Sequence, residues 1–191
     1  MKVFFTASQR GQKFFDKYYL QIFETINRLG YTNLYDALIK IPTDKFYEEL
    51  EKNGHAAYAK LYDQNVKLLQ TADINVFECS LHSLSIGFMV HKSLDFHKPT
   101  IVLFLKDHTP FFLAGLKDEK LIMKEYDAFN LEKVLLKCLD DAKNLRDKRF
   151  NFFLNDEMLR YIEEASKKEG VNKSTFLRNL VLAHQKKNKK L

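Results

Sequence analysis

The chain has no tryptophan, three prolines, six glycines and two cysteines among 191 residues. Two cysteines, Cys79 and Cys138, make no disulfide framework, so the fold must rest on its core. Free buried thiols suit a reducing compartment, and a cytoplasmic protein is expected. So little proline and glycine excludes collagen-like and low-complexity classes. No apolar run approaches the roughly 20 residues that span a bilayer, so no membrane span is expected. Met1-Lys2 leads directly into the strand-like Val3-Phe4-Phe5, which is not the opening of a signal peptide. The six histidines lack metal-ligand spacing. His91 and His97, six apart, fall on different helix faces. Neither a metal nor a cofactor is expected.

What is present is unevenly distributed charge. The whole chain carries a net charge of +6. From Arg146 to Leu191 there are 12 Lys/Arg against 6 Asp/Glu, while residues 1–145 hold 19 of each. A neutral module joined to a basic one is the electrostatic footprint of nucleic-acid binding. The plainer reading is a solubilising tail, carried by Lys186, Lys187, Lys189 and Lys190.

The neutral part alternates between two periodicities. Strand-like runs fall at residues 3–6, 74–78 and 100–105, with shorter candidates at 32–35 and 121–124. Helical patterns fall at about 11–29, 55–71, 84–96 and 131–146. The run Ile101-Val102-Leu103-Phe104-Leu105 is apolar throughout, as a strand covered on both faces must be. The expected fold class is α/β, a Rossmann- or flavodoxin-like parallel sheet flanked by helices, with ligands beyond the strands' carboxyl ends. Residues 43–53, rich in acid and bounded by a proline and a glycine, are expected to be a helical insertion or a mobile flap.

Beyond Lys148 the pattern changes. Arg149-Phe150-Asn151-Phe152-Phe153-Leu154 is β-prone, and alternation sets Arg149, Asn151 and Phe153 on one face. Asn155 has the place of an N-cap, with Asp156 and Glu157 in the first helical turn. Gly170 has the place of a C′ residue, and Asn172 opens a second helix with an apolar stripe of Leu177, Leu180, Val181 and His184. One strand and two short helices cannot bury their own apolar faces, so a partner copy is expected. This segment resembles the ribbon-helix-helix repressors of the MetJ/Arc type. The resemblance implies a small dimeric domain whose paired strands enter the DNA major groove. Arg149, Asn151 and Phe153 would then face bases, and the backbone N–H groups of Lys173 and Ser174 would hold a phosphate. Phe153 departs from that pattern, whose third outward position is usually polar.

Two strand-to-helix loops mark the first part. Thr6-Ala7-Ser8-Gln9-Arg10-Gly11 joins small residues, a hydroxyl, an Arg and a Gly at a helix start, a composition that can cradle phosphate. Glu78-Cys79-Ser80-Leu81-His82-Ser83-Leu84-Ser85-Ile86-Gly87 is the second. With VFFTASQRG and NVKLLQTADINVFECSLHSLSIGFM in this order and spacing, residues 1–130 resemble the nucleoside 2-deoxyribosyltransferase superfamily, which includes deoxynucleoside 5′-monophosphate N-glycosidases. The resemblance implies a nucleotide or nucleoside site containing Ser8, Gln9, Arg10, Gly11, Asn65, Ser83 and Met89. It also implies a carboxylate nucleophile and a second carboxyl group, which here fall at Met89 and Asn65. A thioether and an amide cannot serve in those roles.

The resulting organisation is an α/β domain at 1–145, a joint at 146–148, a ribbon-helix-helix domain at 149–187 and a basic tail at 188–191. The expected function is a DNA-binding transcriptional regulator, homodimeric through its last domain, with a catalytically degenerate ligand-sensing domain. Ligand binding would change how the large domains pack and so alter DNA affinity. Two other readings stay open: an active N-glycosidase or deoxyribosyltransferase using Glu78, and an antitoxin-like protein-interaction module.

Overall fold

The computed structural model describes residues 1–146 and 152–188. Five strands, β1 (Lys2–Ala7), β2 (Thr32–Asn33), β3 (Ile74–Glu78), β4 (Thr100–Leu105) and β5 (Leu121–Tyr126), form one parallel sheet in the order β2-β1-β3-β4-β5. The three central strands are buried along nearly their whole length, which is why they read as apolar runs without alternation. The edges differ. β2 spans two residues rather than the expected four, because after Leu34 N–H bonds Val3 O (2.9 Å) the chain turns away into α2 (Ala37–Lys40). β5 runs two residues beyond its expected end and exposes Lys124 and Glu125. Charges on an edge strand discourage pairing with another sheet.

Alternating side chains divide the core in two. Val3, Phe5, Ala7, Ile74, Val76, Ile101 and Leu103 meet α1 (Gln12–Arg28) and α6 (Leu131–Asn144) on one face. Phe4, Phe77 and Val102 meet α3 (Thr43–Thr71) and α4 (Leu84–Asp95) on the other. Within the second face Asn75 Nδ2 donates to Ser93 Oγ (2.8 Å), and Ser93 Oγ lies 2.6 Å from Thr100 Oγ1. Both cysteines are free and buried. Among the described residues no helix is long and apolar enough to cross a membrane.

Residues 43–53 are not separate from the helix that follows. They form the first half of α3, which kinks at Gly54 (φ 55°, ψ −143°) and continues to Thr71. Two short helices escaped the sequence reading, α2 and α5 (Phe111–Ala114). Neither is long enough to show a period.

The chain divides into two compact units, Met1–Asp147 and Lys148–Leu191. The second unit is a helix pair, α7 (Asp156–Lys168) and α8 (Lys173–Asn188). Asn155 Oδ1 accepts from Met158 N (2.9 Å), and Asn172 Oδ1 accepts from Thr175 N (2.9 Å). Gly170 has φ 68°, with Gly170 N–H bonding Lys167 O (3.1 Å) and Val171 N–H bonding Ser166 O (3.0 Å). This pair of returning bonds is a Schellman closure, which requires a left-handed residue. Phe152, Phe153 and Leu154 have no strand pairing in the single chain. A strand needs a neighbour to make a ladder, and the expected neighbour belongs to a second copy. Within the single chain, α8 buries a residue outside the expected stripe. Phe176 is the buried residue, with Ile162 and Ser166 of α7, while Leu180, Val181 and His184 face solvent.

Candidate functional site

Strand order reverses between β1 and β3, since β2 lies outside β1 on one side and β4 outside β3 on the other. At such a point the loops leaving the two strands diverge and open a crevice at their carboxyl ends. A cleft of about 630 Å³ lies there, lined by the loop after β1, both halves of α3 and the start of α4. Its lining brings together Ser8, Gln9, Arg10, Asn65, Ser83 and Met89. These positions lie as far as 81 residues apart in the chain, and the switch point is what gathers them.

Polar groups form part of the cleft lining. Ser8 and Gln9 are buried, and Gln9 Nε2 donates to Ile41 O (2.7 Å), which fixes the loop. Arg10 is exposed and has no ion-pair partner among the described residues. Ser83 stands at the N-cap of α4 without a side-chain capping bond, so its hydroxyl is not occupied by the helix. Asn65 uses its Nδ2 on Leu61 O (2.8 Å) and retains its amide oxygen. Met89, on α4, supplies an apolar wall.

Gly11 does not line the cleft. Its N–H is bonded to Ser8 O (2.8 Å), and a Cβ at this position would lie 2.0 Å from Tyr19 Oη. Glycine is required here because a tyrosine hydroxyl occupies the space, and the expectation of ligand contact is replaced by a packing role.

Sequence reasoning missed the aromatic wall. Tyr35, Phe46, Tyr47, Tyr58, Tyr62 and Phe88 all line the cleft, and Tyr62 and Phe88 pack with ring centroids 6.2 Å apart. The signal was legible as periodicity. Tyr58, Leu61, Tyr62, Asn65, Val66 and Leu69 repeat at i, i+3, i+4, i+7, i+8 and i+11, one stripe of a helix. That stripe faces the cleft and ends in the core at Leu69, which is fully buried.

Glu78 lies elsewhere. It follows Ile74 and Val76 on the α1/α6 face of β3, is fully buried and is not part of the cleft lining. Its Oε1 accepts from Tyr126 Oη (2.9 Å), Ser80 N (3.2 Å) and Ser80 Oγ. Burial pushes its carboxyl up to about 7, against these hydrogen bonds, which pull it down. Burial first, and the Glu78 charge second, raise the hydroxyls of Tyr19 and Tyr126. Ser80 Oγ also accepts from Leu105 N (2.7 Å), so the cluster ties the ends of β3, β4 and β5 together. A nucleophile must reach its substrate, and this carboxylate is sealed beneath the sheet's opposite face.

Of the residues expected at DNA, Arg149 and Asn151 lie outside the described residues. Phe153 is wholly exposed. Lys173 and Ser174 occupy the first turn of α8, and Lys173 Nζ pairs with Glu163 Oε1 at 2.7 Å.

The first unit is therefore a Rossmann-like α/β domain with an aromatic-walled cleft at its topological switch point. No protein-family model and no curated protein matches the chain. Among solved structures it is similar to the Clostridium botulinum CMP N-glycosidase BcmB, with 12% identity, coverage of 73% of this chain and 99% of that one, and a TM-score of 0.47.

Proposed function

We propose that the first unit holds a nucleotide or nucleoside without cleaving it, and that the protein is a DNA-binding regulator whose last unit pairs with a second copy. One observation carries the first half: among the described residues, Arg10 is the only charged side chain in the cleft lining. A planar base suits six aromatic rings, and an anionic group suits an unpaired guanidinium beside serine hydroxyls. Cleavage of a glycosidic bond requires a carboxylate or an equivalent acid and base at the anomeric carbon. Met89 and Asn65 supply neither.

For the second half the support is charge and exposed apolar surface. Phe152, Phe153, Met158, Tyr161, Leu180 and Val181 are all at least half exposed in the single chain. A unit of this size that leaves such groups in water is stabilised by a partner, and a second copy supplies both the missing strand and a cover for these side chains. Arg146 Nη2 is bonded to Asp73 Oδ1 (2.6 Å) at the amino end of β3, whereas the cleft lies at the carboxyl end.

The test joins calorimetry with product analysis. Nucleoside 5′-monophosphates are expected to bind with no release of free base over hours. Arg10→Ala should weaken binding about 10- to 100-fold, the range for losing a hydrogen bond to a charged group. DNA from upstream of the protein's own gene should bind more tightly than unrelated DNA. That affinity should fall steeply with salt and drop in Arg149→Ala and Asn151→Ala. Base release by the purified chain would overturn the binding-only reading. Equal, weak affinity for both DNAs would overturn the regulator.

A further inference from the structure

The helix walling the cleft is two rods joined at Gly54. A Cβ at Gly54 would meet nothing within 4 Å. Glycine is therefore needed for the path of the backbone and not for space, because φ 55° with ψ −143° strains any residue that has a Cβ. The two rods share the cleft: Phe46, Tyr47 and Leu50 come from the first, Tyr58, Tyr62 and Asn65 from the second. The first rod is thinly held. Thr43 is its one buried residue, and Asp44, Lys45, Glu48, Glu49, Glu51 and Lys52 are exposed.

What holds this rod is its first residue. Thr43 Oγ1 lies 2.8 Å from Gln9 O and 2.7 Å from Gln12 Oε1, and either can accept its proton. Gln9 adjoins Arg10, the cationic end of the cleft. Gln12 Nε2 donates back to Ile41 O (3.1 Å), and Lys13 pairs with Asp44 at 3.1 Å. One end of the rod is thus tied to the loop that would meet an anion. The other end turns on a residue with no neighbour to obstruct it.

We infer that residues 43–53 are a lid, tethered at Thr43 to the Arg10 loop and hinged at Gly54, which closes on the ring of a ligand whose anionic group sits at Arg10. The inference rests on the cleft reading above and deepens it, by naming how that site selects and retains its ligand. An anion alone would order the loop but give the lid no ring to cover. A ring alone would meet the lid without fixing the loop. The ligand class is a planar aromatic base joined to a phosphate, a nucleoside 5′-monophosphate.

The chain has no tryptophan, so Tyr47→Trp places a single indole on the lid. This variant would be titrated with ribo- and deoxyribonucleoside 5′-monophosphates, with the matching nucleosides and with ribose 5-phosphate, calorimetry running in parallel. The monophosphates should shift the indole emission and bind at least about tenfold more tightly than either half-ligand. Gly54→Ala should raise the monophosphate Kd about tenfold, through the strain it places on the kink. Thr43→Val, nearly equal in volume, should raise it roughly fivefold by removing one hydrogen bond. Melting temperatures establish that both variants fold, and if Gly54→Ala does not, Thr43→Val decides. Monophosphates that bind with a still indole, and with Kd unchanged in both variants, would overturn the lid and leave the cleft reading standing. If calorimetry detects no monophosphate binding at all, both fall together.

Discussion

At the carboxyl edge of the sheet, the two faces of β3 have been built for different ends. On the α1/α6 face a carboxylate is present but enclosed, bonded to Tyr126 and Ser80 and shut off from the cleft. On the α3/α4 face the cleft is open and aromatic, with no carboxylate among the described residues that line it. A single residue step along a strand moves a side chain from one face to the other. Glu78 and the cleft stand on opposite faces of the strand. Substitutions on the sealed face should therefore change stability and leave ligand binding alone, and those in the cleft should do the reverse.

The largest effect on stability is expected from Glu78→Gln. The carboxyl sits near its ordinary value in the unfolded chain and at about 7 in the folded one. Between roughly pH 4.5 and pH 7 the folded chain therefore holds the proton more tightly than the unfolded chain, and stability falls as pH climbs. At about 1.4 kcal/mol per pKa step, the loss is on the order of 3 kcal/mol and is complete above pH 7. Glu78→Gln should flatten that slope and melt above the parent at pH 8, with no such gain at pH 4. Thermal denaturation across pH measures it. Nucleotide affinity should stay within about twofold. A large loss of affinity would place Glu78 in the site after all.

Tyr126→Phe should act on the same face with a smaller effect. It removes the hydroxyl that donates to Glu78 Oε1 at 2.9 Å. At pH 8, where the carboxyl is charged, the cost is that of a hydrogen bond to a charged group, about 1.5–3 kcal/mol. At pH 5 the cost should be less, and the difference between the two pH values should disappear when Glu78→Gln is also present. A double-mutant cycle by chemical denaturation tests this coupling.

Much of the arrangement was legible in the chain. The strand periods, the two loops and the parallel sheet follow from apolar runs broken at regular intervals, and Asn155, Asn172 and Gly170 mark helix ends by their capping chemistry alone. What escaped was long-range or sterically local. Gly11 looks like a phosphate-loop glycine until Tyr19 Oη is seen to fill the space of its missing side chain. Glu78 looks like a candidate nucleophile at a strand's carboxyl end until alternation along β3 sends it away from the cleft. The aromatic wall was present as a helical stripe, but its direction depends on a kink that only the backbone at Gly54 discloses. On α8, the period picks out Leu177, Leu180 and Val181 but not Phe176, which is the helix's buried residue in the single chain.

The smallest stability effect is expected within the cleft, and it is the most informative for function. Asn65 is partly buried on the stripe of α3, and Nδ2 is bonded to a carbonyl of its own helix. Asn65→Ala removes that local bond and improves helix propensity by up to about 0.7 kcal/mol, so the melting temperature should hardly move. The ligand sees a different change. The amide oxygen is lost from a helix stripe otherwise made of rings and aliphatic side chains, and a ligand donor that it served would be left without its partner. Such a loss costs about 1–3 kcal/mol, or roughly 5- to 150-fold in affinity. Calorimetry with nucleoside monophosphates reads it directly. Unchanged affinity would mean that Asn65 only shapes the wall. Selectivity among bases would then have to come from stacking on Tyr58, Tyr62 and Phe88, which discriminates weakly because every base offers a π-face.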